Sequence, residues 1–182
     1  MASPTVGSWF TQRVVVGVGD LVVSNAAHSI LSTYALGSCV GVAAYDSVLR
    51  VGGILHYMLP DSRLSPVKAL AQPAMFADTG LRQFFEQLFA FGARPARLQL
   101  FVAGGAKVLD GDDSFRIGVR NSEAILDFLD RNDLPPAYSE LGGTINRTLH
   151  LALADGRLLL KTPHAENEVS LIPEQEPTAV PS

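Results

Sequence analysis

The sequence contains a single cysteine, Cys39, among its 182 residues. One cysteine can form neither a disulfide within the chain nor a cysteine-based zinc site, which favours a reducing compartment and predicts a cytoplasmic protein. Charged residues are also scarce, at 18%, and the 14 Lys and Arg residues are outnumbered by 18 Asp and Glu residues without forming a basic block. The chain therefore lacks the electrostatic features of a protein that binds nucleic acid or an anionic membrane surface.

No targeting or membrane segment is expected either. The first ten residues have no positive charge ahead of an apolar run, so no signal peptide is predicted. Residues 21–45 contain no Asp, Glu, Lys or Arg, and a helix of that length would span a bilayer of about 30 Å. Polar Ser, Asn, His and Thr residues interrupt the stretch, however, and Gly37 and Gly41 weaken any helix through it. We predict buried strands and an uncharged site there.

Hydrophobic residues make up 47% of the chain, which is enough to bury a substantial core and excludes a long disordered protein. We predict one domain over residues 1–162. The following segment, 163–182, is mostly polar and contains Pro163, Pro173, Pro177 and Pro181, so it is predicted to be a mobile tail.

The distribution of apolar residues predicts more strands than helices. Short strands are expected at 13–16, 21–23 and 98–102, with hairpins joining 40–45 to 51–59 and 148–154 to 157–161. An amphipathic helix is expected over 73–91, and a second is expected to run to Leu129 after an Asn121 or Ser122 cap; a Gly/Asp-rich loop is expected at 110–114. Because strands and helices do not alternate regularly, the pattern predicts an α+β domain with a mixed sheet.

The hairpin of 40–45 with 51–59 brings chemistry-bearing residues together. With a turn centred near Val48, Cys39 would lie opposite His56 or Tyr57, although a slip of one residue would move the thiol to the other face. A thiol beside an imidazolium has a lowered pKa, and its thiolate is a nucleophile. Backbone amides near Cys39 are candidates to stabilise an oxyanion, and the Thr33 hydroxyl is a candidate to orient the imidazole.

Each of these residues also has a structural interpretation. A lone cysteine in an apolar run is commonly a small buried side chain, and His56 is equally explained as a hydrogen-bonded core residue. Thr33 on its own is an ordinary strand hydroxyl. His28, His150 and His164 form no ligand cluster, so no metal site is expected, and the paired glycines match no phosphate-binding pattern and are interpreted as turns or bulges.

Six motifs in order resemble one known family. They are Leu36-Gly37-Ser38-Cys39-Val40, Gly53-x-x-His56-x-x-Leu59-Pro60, Phe76-Ala77-Asp78-Thr79, Gly104-Gly105-Ala106, Ile117-Gly118-Val119-Arg120-Asn121 and Leu141-Gly142-Gly143-Thr144-x-x-Arg147. Together they cover roughly residues 14–162 and resemble the chemoreceptor glutamine deamidases of bacterial chemotaxis, the CheD family.

This resemblance implies a mixed β-sandwich with flanking helices, similar to the catalytic domains of deamidating toxins. It implies a cysteine hydrolase, independent of metal and cofactor, that converts glutamine side chains of methyl-accepting chemotaxis receptors to glutamate. Carried over to this sequence, it makes Cys39 the nucleophile, His56 the general base and Thr33 the hydroxyl that assists the histidine. For this mechanism we expect the backbone amides near Ser38 and Cys39 to hold the oxyanion. A CheC-type phosphatase is a possible second partner.

Two other functions are compatible with the sequence. The first is a docking module that binds receptors or the phosphatase, with little catalysis. The second is a redox sensor in which Cys39 is oxidised, although the chain offers no second cysteine to resolve the product.

Overall fold

A computed structural model describes residues 11–107 and 115–172, which form two five-stranded sheets and three α-helices. The predicted loop at 110–114 and the end of the predicted tail, 173–182, lie outside the described residues. The strands are β1 Gln12–Val15, β2 Asp20–Ser24, β3 Ser29–Leu36, β4 Val40–Asp46, β5 Val51–Tyr57, β6 Leu98–Gly104, β7 Tyr138–Leu141, β8 Arg147–Ala152, β9 Arg157–Lys161 and β10 Glu166–Ser170. The helices are α1 Pro66–Ala71, α2 Ala77–Ala90 and α3 Ile117–Arg131.

The elements stack in three layers. The outer sheet has the strand order β1-β3-β8-β9-β10, and the central sheet has the order β2-β5-β4-β6-β7. Each sheet contains one parallel pair, β1 with β3 and β6 with β7, and is otherwise antiparallel. One apolar core fills the space between the two sheets, and a second lies between the central sheet and helices α2 and α3. The predicted α+β sandwich with flanking helices is therefore confirmed.

The central sheet explains why residues 40–45, the β4 part of the uncharged stretch 21–45, carry no charge. Every residue of β4 and β5 is buried, because helices cover one face of these strands and the outer sheet covers the other. A strand covered on both faces has no solvent-exposed position for an ionised side chain. No helix in the described part of the chain is long and apolar enough to cross a membrane.

Both predicted hairpins form, but each helix begins at a different residue from the one predicted. The segment expected to begin a helix at Pro73 makes a short 3-10 turn at Pro73–Met75, and α2 starts at Ala77. Helix α3 starts at Ile117, so Asn121 is not its cap. Asn121 instead lies one turn inside the helix and is fully buried.

The prediction of a mobile tail from residue 163 is wrong for Glu166–Ser170, which forms β10 at the edge of the outer sheet. β10 pairs antiparallel with β9, and Lys161 Nζ lies 2.6 Å from Glu166 Oε1. Leu171, which follows the strand, is fully buried in the core between the sheets. The sequence of this segment is mostly polar because its charged side chains lie on an exposed edge strand. Only isolated residues such as Leu171 contact the core.

Candidate active site

The hairpin of β4 and β5 determines where Cys39 lies relative to His56. The observed register pairs Gly41 with His56 and Val40 with Tyr57, so the position opposite Cys39 is Met58. The predicted pairing of Cys39 with His56 or Tyr57 is therefore wrong. Side chains alternate along a strand, so Cys39 continues the face of Gly41 and His56, whereas Tyr57 lies on the face toward the helices.

The physical cause of this register is the turn. Asp46 Oδ1 accepts from the amide of Val48 at 3.0 Å, and Arg50 adopts a left-handed conformation with φ of 53°. These contacts close a four-residue loop from Ser47 to Arg50, one residue longer than a turn centred on Val48.

Thr33 and His56 meet across the two sheets. Thr33 is on β3 of the outer sheet, and its Oγ1 lies 2.8 Å from His56 Nδ1 on β5 of the central sheet. The same Oγ1 donates its only proton to the carbonyl oxygen of Val16, at 2.8 Å. Oγ1 must therefore accept from Nδ1, which places the ring proton on Nδ1 and leaves Nε2 as a bare acceptor. Nε2 is buried and has no hydrogen-bond partner among the described residues.

The electrostatic state of the site differs from the expected thiolate beside an imidazolium. Burial lowers the pKa of His56 to about 4, so the imidazole is neutral near pH 7. Burial also raises the pKa of the Cys39 thiol, and this effect is partly offset by the residue's own backbone N–H. Both groups are therefore neutral in the resting protein. Cys39 is partly exposed, while His56 is 1% exposed and lies deeper.

The segment 37–39 between β3 and β4 is held through its carbonyl oxygens. The oxygens of Gly37, Ser38 and Cys39 accept from Ala106 N at 2.8 Å, Asn121 Nδ2 at 2.9 Å and Gly105 N at 2.8 Å, respectively. The amide N–H groups of Ser38 and Cys39 donate to no other residue in the described chain. Two amides beside the thiol thus remain available to a ligand.

Gly104 lies against the backbone of Cys39. Its φ is +116°, and a Cβ at this position would lie 2.1 Å from the Cys39 carbonyl oxygen. The sequence interpretation of Gly104 and Gly105 as a turn missed this role. A motif of two glycines directly after a buried strand was the available signal, since glycine allows close backbone approach.

A second turn borders the same segment. Arg147 is 5% exposed, and its Nη1 donates to the carbonyl oxygens of Gly142 at 2.8 Å and Ile145 at 3.2 Å. This turn contains the exposed Asn146, whose Oδ1 would lie 2.9 Å from a Cβ placed on Gly37. Arg147 therefore supports a polar turn beside Gly37, at the start of the segment that carries Cys39. Sequence reasoning gave Arg147 no role.

The remaining histidines do not join this site. His150 lies opposite Ser32, with Nδ1 2.8 Å from Ser32 Oγ, and both residues face away from the core between the sheets because Ser32 alternates with Thr33. In the part of the chain that the structure describes, no group of three or more His, Cys, Asp or Glu side chains is arranged to hold a metal ion.

Fold and site together define a class. This is an α+β double-sheet protein with a partly exposed thiol on the segment between β3 and β4, and the hairpin face that continues to this thiol carries a histidine bonded to a threonine from the other sheet. Comparison with known proteins gives the family. The family model described as CheD chemotactic sensory transduction matches residues 58–162. The chain belongs to the CheD family.

Individual relatives match over a longer stretch. The chain is 41% identical over 158 residues, 87% of this chain and 94% of the relative, to the probable chemoreceptor glutamine deamidase CheD of Solibacter usitatus. It is 42% identical over 149 residues to the protein of the same name, CheD 1, of Syntrophus aciditrophicus, covering 82% of this chain and 93% of the relative. It is 34% identical over 153 residues to that of the archaeon Pyrococcus abyssi, covering 83% and 92%.

Proposed function

We propose that this protein is a cysteine hydrolase that deamidates glutamine side chains of chemoreceptors. The relatives' names give the substrate class. The observation that carries the chemistry is the Thr33–His56 pair, because it leaves a bare imidazole nitrogen on the face of the hairpin that continues to Cys39. This arrangement supplies a nucleophile, a base and a group that orients the base.

The reaction begins from a neutral pair. As the sulfur of Cys39 attacks the side-chain carbonyl carbon of glutamine, His56 Nε2 takes the thiol proton, and a C–S bond forms while the carbonyl becomes an oxyanion. A base with a pKa of about 4 is fully deprotonated at neutral pH. The imidazole of His56 can therefore accept the thiol proton at neutral pH, and it returns that proton readily in the next step.

The tetrahedral intermediate then collapses. The C–N bond breaks, His56 gives its proton to the departing nitrogen, and ammonia leaves a thioester on Cys39. Water attacks this thioester with His56 again as the base, which releases glutamate and restores the thiol. A glutamyl methyl ester would give the same thioester, so methylesterase activity is part of the proposal.

The oxyanion is stabilised by the amides of Ser38 and Cys39. Their N–H groups are free within the described chain, while all three carbonyl oxygens of the segment are already bonded. Donors that are fixed before the reaction stabilise developing charge without reorganisation.

The substrate is a side chain presented by another protein. The nucleophile is partly exposed, and Met58, at the position opposite it on the hairpin, is 41% exposed. We place the reaction in the cytoplasm, on the signalling helices of methyl-accepting receptors, where a new carboxylate shifts the balance of signalling states and so contributes to adaptation. A CheC-type phosphatase is the second partner we propose.

Peptide mass spectrometry of a receptor cytoplasmic fragment tests this function. Conversion of Gln to Glu adds about one mass unit to a peptide, and it should occur with wild type but not with Cys39→Ala or His56→Ala. His150→Ala is the matched control, because His150 is also a buried histidine bonded to a hydroxyl but lies on the other face of the outer sheet. Equal background from all four proteins would reject catalysis and support the docking module.

A further inference from the structure

Helix α3 places a polar side chain against the active-site loop. Asn121 is fully buried on the face of α3 that also buries Gly118, Ile125 and Leu129. A buried carboxamide destabilises a core unless its hydrogen-bonding groups find partners. The burial of Asn121 therefore depends on the partners that its carboxamide finds.

Both hydrogens of the Asn121 amide are used. Nδ2 donates to the carbonyl oxygen of Ser38 at 2.9 Å and to that of Met58 at 2.8 Å. Because a carbonyl oxygen can only accept, these two partners fix the orientation of the amide group. Oδ1 is buried without a hydrogen-bond partner among the described residues.

These two carbonyls belong to the open end of the β4–β5 hairpin. The backbone ladder ends at the pair Val40–Tyr57, and Cys39 and Met58 are the next positions along it. The Asn121 side chain thus bridges the two backbone segments that continue from β4 and β5 just beyond the last ladder pair. Helix α3 is also held to β5, since the hydroxyl of Tyr57 donates to the main-chain carbonyl oxygen of Asn121 at 2.6 Å.

We propose that Asn121 is a positioning residue that holds the amide of Cys39 toward the substrate. The carbonyl of Ser38 and the N–H of Cys39 belong to one planar trans peptide unit and point in opposite directions. When Asn121 fixes that carbonyl on the helix side of the loop, it directs the Cys39 N–H to the opposite side, where the thiol and His56 lie.

The catalytic part of this proposal rests on the proposed deamidase function, so the test uses two independent measurements. The first is deamidation of the receptor fragment, with kcat and KM determined separately. The second is alkylation of Cys39 by iodoacetamide as a function of pH, which reports on the thiol whether or not the protein is a deamidase. Urea unfolding confirms that each variant is folded.

Asn121→Asp is the informative variant, because its carboxylate cannot donate to the two carbonyls. We expect kcat to fall about 10- to 100-fold with KM unchanged within twofold. The midpoint of alkylation should move to higher pH, since Cys39 loses the oriented N–H beside its sulfur. Lowering the pH should recover part of the activity relative to wild type, because a protonated Asp donates one hydrogen bond, and a merely structural role would not produce this recovery.

Asn132→Asp is the matched control. Asn132 follows the last residue of the same helix, and its Nδ2 donates to the carbonyl of Phe128 at 2.7 Å, so both measurements should match wild type. If Asn121→Asp does not fold, Asn121→Ala and Tyr57→Phe replace it, with the same expected fall in kcat.

The proposal is overturned if folded Asn121 variants keep kcat within twofold of wild type. If wild type itself shows no deamidation, the proposed function fails separately, and the alkylation midpoint then decides. Because the new carboxylate of Asn121→Asp itself disfavours a thiolate nearby, the deciding variant is the uncharged Asn121→Ala: a shift in it but not in Asn132→Asp supports positioning, and no shift rejects it.

Discussion

At the scale of single residues, the hydroxyl of Thr33 determines which nitrogen of His56 carries the ring proton. Because that hydroxyl donates to Val16 and accepts from Nδ1, only Nε2 is free to act as a base. Thr33→Val removes both bonds while keeping the shape, so we expect kcat for deamidation to fall about 10- to 100-fold at unchanged KM. Thr33→Ser, which keeps the hydroxyl, should retain most of the activity; equal activity of the two variants would contradict this role.

The neutral resting state makes a second prediction for single residues. Burial raises the pKa of the Cys39 thiol and keeps His56 neutral down to about pH 4, so no imidazolium is present at neutral pH to stabilise a thiolate. The rate of Cys39 alkylation by iodoacetamide should therefore keep rising with pH beyond pH 9. A plateau between pH 5 and 8, as an ion pair would give, would show that the pair is charged instead.

The residues of the proposed triad could be chosen from the sequence, but their geometry could not. Cys39 and His56 were identifiable because a hairpin joins their segments. Thr33 on its own is an ordinary strand hydroxyl, and its role followed from the other two residues and from the family resemblance. The register depended on side-chain contacts of Asp46 within the turn, which local propensity does not encode. Asn121 was misread as a cap because an Asn before an apolar run is the usual pattern of an N-cap, and only tertiary packing supplies the hydrogen-bond partners that allow it to be buried inside the helix.

At the scale of elements, the end of β6 shapes the loop that carries Cys39. A Cβ at Gly104 would lie 2.1 Å from the Cys39 carbonyl oxygen, so the loop must move to admit it. We expect Gly104→Ala to abolish deamidation and to shift the pH profile of Cys39 alkylation.

Gly92→Ala is the matched control for this prediction. Gly92 also has a positive φ, of +89°, but it follows helix α2, and an added Cβ would meet only the end of the Leu49 side chain, at 3.3 Å. This variant should lose only about 1 kcal/mol of stability from backbone strain and should keep its activity. Equal loss of activity in both variants would attribute the effect to strain rather than to contact with Cys39.

At the scale of the whole molecule, the chain beyond residue 162 completes the outer sheet. β10 covers the edge of β9, and Leu171 is fully buried between the sheets, a contact of about 1.5–3 kcal/mol for one leucine side chain. A chain ending at Thr162 should therefore be less stable by at least about 2 kcal/mol than one ending at Ile172, measured by urea unfolding. Both chains lack residues 173–182 and differ only by this strand and its flanks. Equal stability would therefore support a domain that ends at residue 162, as predicted from the sequence.

The α+β class was accessible from the sequence because it depends on coarse patterns: apolar runs, turn glycines and irregular alternation of strands and helices. The stacking of two sheets was implied only by the family resemblance. β10 was not accessible, because its residues resemble those of a solvated tail. Its stability comes from pairing with β9 and from the burial of Leu171 after the strand, which involve partners already placed by the fold.

The Thr33–His56 contact joins two sheets that are otherwise separate hydrogen-bonded ladders. Each sheet could keep its own pairing in a partly denatured protein, yet neither would then contain a base with a defined tautomer. Enzyme activity is thus a chemical reporter of sheet stacking: it should vanish at the denaturant concentration where the sandwich opens, even if circular dichroism still records intact strands.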